Sequence, residues 1–202
     1  MHTRRRRPIS VGFLLASLIF ASAHRLSAQA AAPSPPNQPP LPPATKLEGF
    51  KPAAGSVVTF GYNNLGEIGN ILEGASVDVR EMRDAQGNLV RGLVVEVRES
   101  QYRRERSFVD ADEIPELLKA LDALLGVSTN PTSFENFEVR YTTRGEMRLT
   151  AYNSRRGEIR YAVQAGRLVA AQQTDLKAED MRRLRAMFQG AFDKLNSAGT
   201  LR

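Results

Sequence analysis

The chain of 202 residues carries 28 basic and 22 acidic side chains, two histidines, and neither cysteine nor tryptophan. Both histidines, His2 and His24, lie within the first 30 residues, so the rest of the chain lacks the imidazole and thiol groups on which most catalytic and metal sites depend. Without disulfides the fold relies on its core, and residues 46–202 are enough for one well-buried domain.

The first 30 residues have the pattern of a secretory signal peptide. Four consecutive arginines, residues 4–7, precede an apolar run at residues 11–23, and small residues follow at positions suited to cleavage after Ala30, with Ala23 as the alternative. A membrane span needs about 20 apolar residues, and this run is shorter. We therefore expect export to the periplasm or the extracellular space, with no transmembrane segment once the leader is removed.

A proline-rich segment, residues 31–45, separates the leader from the rest of the chain. Proline lacks a backbone donor and favours the extended polyproline II conformation, so this segment is predicted to be a disordered linker. A Pro-x-x-Pro ligand for a partner domain is the alternative interpretation. Residues 46–202 are predicted to form a single globular domain.

Removal of the leader changes the charge of the protein. The leader contains five arginines and no acidic residue, which leaves 23 basic against 22 acidic side chains. Nucleic-acid binding usually requires an excess of basic residues to neutralise phosphates, so we expect no nucleic-acid partner.

Strand patterns begin soon after the linker. Residues 57–62 are rich in residues with strand propensity, among them Phe60 and Tyr62. Residues 63–74 mix glycine with leucine and isoleucine, and they fit either a loop or a helical turn. Residues 102–109 are crowded with charged side chains, which is typical of an edge strand.

A hairpin is predicted around Gly87, because apolar and polar residues alternate on both sides of it. A three-residue loop that ends at a left-handed Gly87 would place Val79 opposite Leu93. The same register places Glu81 opposite Arg91. Apolar residues then face apolar residues, and opposite charges face each other.

Two segments have the apolar periodicity of amphipathic helices. The first, residues 114–125, has Pro115 in its first turn, which favours Asp112 as the N-cap. The second covers residues 178–195. Between them lie four further strand patterns, at residues 137–141, 147–151 and 159–163 and near residues 168–172.

This order of elements predicts an α+β fold. Strands follow one another through short turns, and a helix ends each run of strands. We expect an antiparallel sheet of about seven to eight strands, with two amphipathic helices packed on one face. Two ββββα-like halves fit this order, although their residues do not align well enough to establish a duplication.

The densest acidic cluster consists of Asp110, Asp112 and Glu113. Three carboxylates could hold a hard cation such as calcium, which makes these residues a weak candidate metal site. The spacing does not match a calcium-binding helix–loop–helix motif. Capping of the helix that follows is the favoured interpretation.

An arginine-rich face is predicted in the second half. A loop at residues 143–145 with Gly145 left-handed would place Arg140 opposite Arg148. The next hairpin, with Ala151 opposite Ile159, would make Arg160 a diagonal neighbour of Arg148, with Tyr152 on the same face. Guanidinium groups suit carboxylate and phosphate, so this face is a candidate site for an anionic ligand. The alternative is a solvated surface balanced by three glutamates, Glu138, Glu146 and Glu158.

These features predict a non-catalytic binding or interaction module that needs no cofactor. Its expected partner is a protein, a glycan or an anionic component of the cell envelope. A cell-envelope hydrolase that uses paired carboxylates is one alternative, because such chemistry requires no histidine. An inhibitor of a secreted enzyme is the other.

Overall fold

In the computed structural model the described residues are 42–70, 72–167 and 170–200, without the side chains of residues 198–200. The predicted signal peptide, its cleavage site at Ala30 and linker residues 31–41 lie outside these ranges. All described elements belong to one compact unit.

The two halves of the chain repeat one order of elements, four strands followed by a helix. After a four-residue helix α1 (Lys46–Gly49), the first half contains β1 (Val58–Gly69), β2 (Gly74–Asp84), β3 (Leu89–Arg98), β4 (Arg104–Asp110) and α2 (Ile114–Leu125). The second half contains β5 (Glu138–Thr142), β6 (Arg148–Asn153), β7 (Ile159–Ala165), β8 (Gln172–Leu176) and α3 (Ala178–Thr200). Each half forms its own four-stranded antiparallel meander. The α+β prediction is confirmed, with the eight described strands divided between two sheets.

The predicted hairpin around Gly87 is confirmed in its register. Val79 pairs with Leu93, and Glu81 pairs with Arg91 across β2 and β3. The side chains of Arg91 and Glu81 form an ion pair with an Nε–Oε2 distance of 2.7 Å. Gly87 has a φ of +87°, the left-handed conformation that the loop requires.

Strand β1 covers most of the segment that the sequence left open. It runs as far as Gly69 and contains a bulge between Asn64 and Gly66. Gly66 has a φ of +139°, and a Cβ atom there would lie 3.1 Å from the sulfur of Met187 in α3. Gly66 therefore serves a bulge beneath a helix, whereas Gly69 and Gly74 lie at the turn between β1 and β2.

Each helix packs mainly against the sheet of the other half. Among the strands, α2 contacts mainly β5 and β6, whereas α3 contacts mainly β1 and β2. The helices also contact each other through a bidentate ion pair between Arg185 of α3 and Asp122 of α2. Its Nε–Oδ1 and Nη2–Oδ2 distances are 2.9 and 3.0 Å.

The apolar stripes of both helices are buried in one continuous core that includes both sheets. The buried residues are Ile114, Leu117, Leu118, Leu121 and Leu124 on α2 and Met181, Leu184, Phe188 and Ala191 on α3. The sheets meet where β3 lies against β7 and β8. Within the described ranges, none of the helices combines the length and apolarity needed to cross a membrane.

The last strand lies later than the sequence pattern suggested. The prediction placed it near residues 168–172, but β8 is Gln172–Leu176. Gln172, Thr174 and Leu176 are buried and alternate with exposed residues, which is the period of a strand with one face in the core. Residues 168 and 169 lie outside the described ranges.

Helix α1 is held against the first sheet by its buried leucine and by hydrogen bonds at its amino-terminal end. Leu47 is buried, and α1 contacts β3 and β4. The hydroxyl of Thr45 accepts a hydrogen bond from the amide of Glu48 at 3.1 Å. The carbonyl of Pro42 accepts one from Nη1 of Arg167 at 2.8 Å. The last residues of the predicted linker therefore contact the folded unit.

Candidate functional site

The hairpin that joins β5 and β6 has a different register from the predicted one. Arg140 pairs with Thr150, and Arg148 pairs with Thr142, so the two arginines are diagonal neighbours rather than opposite each other. The left-handed residue is Glu146, with a φ of +61°, and not Gly145. The three-residue loop therefore begins one position later, which shifts the pairing by two residues.

Gly145 serves close packing instead of the turn. A Cβ atom at this position would lie 2.0 Å from the backbone oxygen of Phe108 in β4. No side chain fits there, so the loop can rest on the first sheet only with glycine at this point. The prediction treated this glycine as a turn signal, and the structure shows that it marks a contact between the halves.

The following hairpin is also shifted. The sequence predicted Ala151 opposite Ile159, but Ala151 pairs with Tyr161 and Tyr152 pairs with Arg160. Arg160 therefore lies beside Tyr152 and away from Arg148, which pairs with Gln164. The prediction that the three guanidinium groups are adjacent is therefore wrong. The three arginine side chains nevertheless share the outward face of the second sheet.

Two of the three arginines on this face are paired with glutamates. Arg140 binds Glu138, with an Nε–Oε1 distance of 2.9 Å. Arg160 binds Glu158, with an Nη2–Oε2 distance of 2.9 Å. The side chain of Arg148 has no hydrogen-bond or ion-pair partner among the described residues. The charge on this face is therefore nearly balanced, as the alternative interpretation expected for Glu138 and Glu158.

The third glutamate of that interpretation points elsewhere. Glu146 forms an ion pair with Arg167 at 3.6 Å. Arg167 also binds Glu48 at 3.0 Å. These contacts join the second half to α1, so Glu146 does not balance the arginines of the sheet face.

A shallow depression of about 340 Å³ lies on the outward face of the second sheet. We call it the polar depression. Its lining residues come from all four strands: Glu138, Arg140, Thr150, Tyr152, Ala162, Gln164, Gln173 and Asp175. Seven of these eight side chains can donate or accept hydrogen bonds. Burial raises the pKa of Tyr152, and the negative charge of Asp175 raises it further.

The acidic cluster has a structural role that the sequence did not reveal. Asp110 accepts hydrogen bonds from the amides of Lys46 and Leu47 at 2.9 and 3.0 Å. It therefore caps α1 and not the helix that follows it. Helix α2 begins after a 3-10 turn, with Glu113 at its N-cap position and no side-chain cap. The prediction of Asp112 as the cap of α2 is wrong.

The other two carboxylates of this cluster bind basic side chains and a backbone amide of the same chain. Asp112 binds Nη2 of Arg144 at 2.6 Å and Nζ of Lys46 at 3.3 Å. Glu113 accepts a hydrogen bond from the amide of Arg144 at 2.7 Å. Within the described ranges, no group of three or more potential ligands is placed to hold a metal ion. The cluster joins α1 and the β5–β6 loop to the first half.

One surface that the sequence analysis did not identify as functional is the exposed half of β1, residues 58–64, which we call the open edge. Phe60 is 61% exposed and Tyr62 is 78% exposed, and both lie on the same face of the strand. The available sequence signal was the absence of charge and proline from these seven residues. Strand propensity placed the strand correctly but could not show that its aromatic side chains are uncovered.

No protein-family model matches this chain, and no curated protein has a significantly similar sequence. The assignment of function therefore depends on the geometry of the two surfaces just described. One is polar and nearly neutral, and the other is aromatic and uncharged.

Proposed function

We propose that this protein is an exported, non-catalytic binding module that holds a neutral polar ligand, a glycan, in the polar depression. The observation that carries this proposal is the lining of the depression, which mixes hydrogen-bond donors and acceptors on a rigid sheet. Sugar hydroxyl groups both donate and accept, so they can satisfy amide, carboxylate and guanidinium groups at the same time.

The charge of the face favours a neutral ligand over an anion. Arg140 and Arg160 already have glutamate partners, and an anion would have to compete with them. Asp175 adds a negative charge inside the depression. Arg148 is the one arginine of the three that could bind an anion without losing an ion pair seen in the described residues. A sulfated or phosphorylated ligand is therefore the rival that the experiment must separate.

Three carboxyl groups outside the polar depression suit structural roles better than acid catalysis. A catalytic acid of a glycosidase needs a raised pKa. The pKa values of Asp84, Asp112 and Asp122 are lowered, and the largest cause is a hydrogen bond from Asn88, Arg144 or Arg185, respectively. Hydrogen bonding of this kind favours the charged form. These groups suit structure better than proton donation.

Export is part of the proposal, and its support is the amino-terminal sequence. The arginine-rich start, the apolar run and the small residues before Ala30 have the order of a cleavable leader. A periplasmic or extracellular location would bring the protein into contact with glycans of the cell envelope.

The test is binding of the leader-free protein to an array that carries both neutral and sulfated oligosaccharides, followed by calorimetry with the strongest neutral binder. We expect Gln173→Ala and Tyr152→Phe each to weaken binding by about tenfold, because each removes one hydrogen-bonding group. The matched controls, Gln101→Ala and Tyr102→Phe, lie in the β3–β4 loop and should leave the dissociation constant unchanged.

Two results would overturn the proposal. One is the absence of binding to every neutral oligosaccharide on the array. The other is binding to sulfated members alone, with loss of that binding in Arg148→Gln and no effect of Gln173→Ala. The second result would assign the face to an anionic ligand instead. Thermal unfolding of each variant shows whether the fold is retained.

A further inference from the structure

Strand β1 is an edge strand of the first sheet, and only half of its edge is covered. At the carboxyl-terminal half, Nη2 of Arg183 in α3 donates a hydrogen bond to the carbonyl of Glu67 at 3.1 Å. Met187 of α3 lies against Gly66. In the described part of the chain, no hydrogen bond reaches the outward backbone groups of the open edge. Helix α3 therefore blocks strand addition beyond residue 65. Residues 59–64 are exposed, with Lys194 and Leu195 of α3 beside one face of the strand at Gly61–Asn63.

The open edge lacks the features that normally prevent strands from pairing with other chains. Proteins protect edge strands with charge, proline or a covering loop. Strand β4, the opposite edge of the same sheet, has both charge and cover: its sequence is Arg-Glu-Arg-Ser-Phe-Val-Asp, and Ser107 accepts a hydrogen bond from the amide of Gly166 at 3.1 Å. The open edge has the sequence Val-Thr-Phe-Gly-Tyr-Asn-Asn, with no charge and no proline.

The side chains of the open edge would gain from being covered. Complete burial of a phenylalanine or tyrosine removes about 150–250 Å² from water. The exposure of Phe60 and Tyr62 therefore leaves on the order of 300 Å² of aromatic surface in contact with solvent. A depression of about 320 Å³ beside Phe60 and Tyr62 has the volume for another ring, and its floor on β2 consists of Met82 together with the charged residues Asp78, Arg80 and Glu81.

We propose that the open edge is the interface of a two-fold dimer, in which β1 pairs antiparallel with β1 of a second copy of this chain. The accessible residues 58–64 are centred on Gly61, so a two-fold axis through Gly61 uses the whole open segment. Phe60 then lies opposite Tyr62 of the other copy, and Thr59 lies opposite Asn63. Cross-strand aromatic pairs and polar pairs both stabilise antiparallel strands. The two sheets would join into one sheet of eight strands.

A second copy fits this edge better than a charged partner does. In a two-fold interface both copies contribute the same surface. A charged residue close to the axis would therefore face the same charge on the other copy and be repelled by it. The open edge itself carries no charge, and the charged residues that line the surface beside Gly61, namely Arg80, Glu81 and Lys194, belong to β2 and α3. The area is small compared with the 1,200–2,000 Å² of standard interfaces, so we expect a weak dimer with a dissociation constant of about 10–100 µM.

Sedimentation equilibrium of the leader-free protein between 1 and 300 µM tests the assembly. We expect a reversible monomer–dimer equilibrium, and Tyr62→Lys should raise the dissociation constant at least tenfold. The matched control is Tyr102→Lys, because Tyr102 is 87% exposed but lies in the β3–β4 loop. Unchanged thermal unfolding confirms that both variants fold.

Cross-linking tests the register. The chain contains no cysteine, so Gly61→Cys introduces a single thiol that can form a disulfide only with another copy. Directly opposed residues in antiparallel strands have Cα atoms about 4.5–5.5 Å apart, which suits a disulfide. A Cβ atom at residue 61 would make only ordinary contact with Glu81 at 3.7 Å. We expect rapid formation of a covalent dimer, much faster than for Gln101→Cys.

Three outcomes would overturn the dimer proposal. They are a protein that remains monomeric at 300 µM, a Tyr62→Lys variant that associates as strongly as the wild type, and equal cross-linking rates for the two cysteine variants. Binding of an added extended peptide by a strictly monomeric protein would assign the edge to a different partner. None of these results depends on the polar depression, which lies on the other sheet.

Discussion

The carboxylate of Asp110, at the end of β4, accepts a hydrogen bond from the backbone amide of Leu47, which lies 63 residues earlier in the chain. The second oxygen of the same carboxylate accepts one from the amide of Lys46. Thr45 satisfies the amide of Glu48, so the first three amides of α1 all have acceptors. A carboxylate that is only 3% exposed thus fixes the start of the folded unit to the first sheet.

Replacement of Asp110 should be costly. We expect Asp110→Ala to lower the free energy of unfolding by about 2–4 kcal/mol, because two backbone donors lose a charged acceptor and one of them is buried. Asp112→Ala is the control: Asp112 is more than half exposed, and its ion pairs should contribute about 1 kcal/mol or less. Urea denaturation measures both changes. Equal effects of the two substitutions would contradict the assigned role of Asp110.

The packing of each helix on the sheet of the other half can be tested at Phe188, which lies in α3 and is fully buried. We expect Phe188→Ala to cost about 3–5 kcal/mol, because it leaves a cavity in the core shared by both sheets. Phe134→Ala removes the same side chain from a site that is 78% exposed and should change stability by less than about 0.5 kcal/mol. A single unfolding transition in Phe188→Ala, seen by both circular dichroism and tyrosine fluorescence, is also expected. Separate transitions would mean that the halves unfold independently.

Three glycines should respond differently to replacement by alanine, because the added Cβ atom meets a different structural environment at each position. Gly145→Ala should destabilise by more than about 2 kcal/mol, since its Cβ would overlap the oxygen of Phe108. Gly87→Ala should cost about 1 kcal/mol, because only its positive φ opposes a side chain. Gly190→Ala should stabilise by up to about 1 kcal/mol, since Gly190 lies inside α3 and its Cβ would meet nothing within 4 Å. Urea denaturation of the three variants measures the order, and any other order would contradict these assignments.

The ion pair between the helices should make stability depend on pH. Hydrogen bonding from Arg185 lowers the pKa of the Asp122 carboxyl group. The ion pair contributes fully to the free energy of unfolding above about pH 4, where the Asp122 carboxyl group is charged in both the folded and the unfolded state. This contribution is lost as the pH falls through the lower pKa of the folded state. Asp122→Asn should therefore cost a few tenths of a kcal/mol up to about 1 kcal/mol at pH 7 and almost nothing near pH 2. Denaturation curves between pH 2 and 7 measure this difference, and an equal loss at both ends would exclude the charge as its source.

Local patterns in the sequence predicted the elements better than the contacts between them. The first hairpin was placed in the correct register because Gly87 has no role except the left-handed turn. The second was shifted by two residues because Gly145 is required for contact with Phe108, which is distant in sequence, and Glu146 takes the left-handed conformation instead. A turn rule reads only neighbours along the chain, so it cannot distinguish these two uses of glycine.

The acidic cluster shows the same limit of rules that use only neighbouring residues. Its position before an apolar stripe is typical of a helix cap, and the helix was predicted correctly. The carboxylate of Asp110, however, finds backbone donors in α1, and Glu113 finds the amide of Arg144. Neither partner lies within the local window that capping rules use. The polar depression depends on the corrected register of β5 to β8, so its lining could not be listed from the sequence.

The placement of the helices has a consequence for the order in which the protein can fold as it is synthesised. The first sheet is complete once residue 110 has been made, but α3, the helix that packs most closely on it, is the last described element of the chain. An emerging chain therefore keeps one face of that sheet uncovered until residues 178–200 have been made, so the native packing of the first sheet depends on a segment that is synthesised after it.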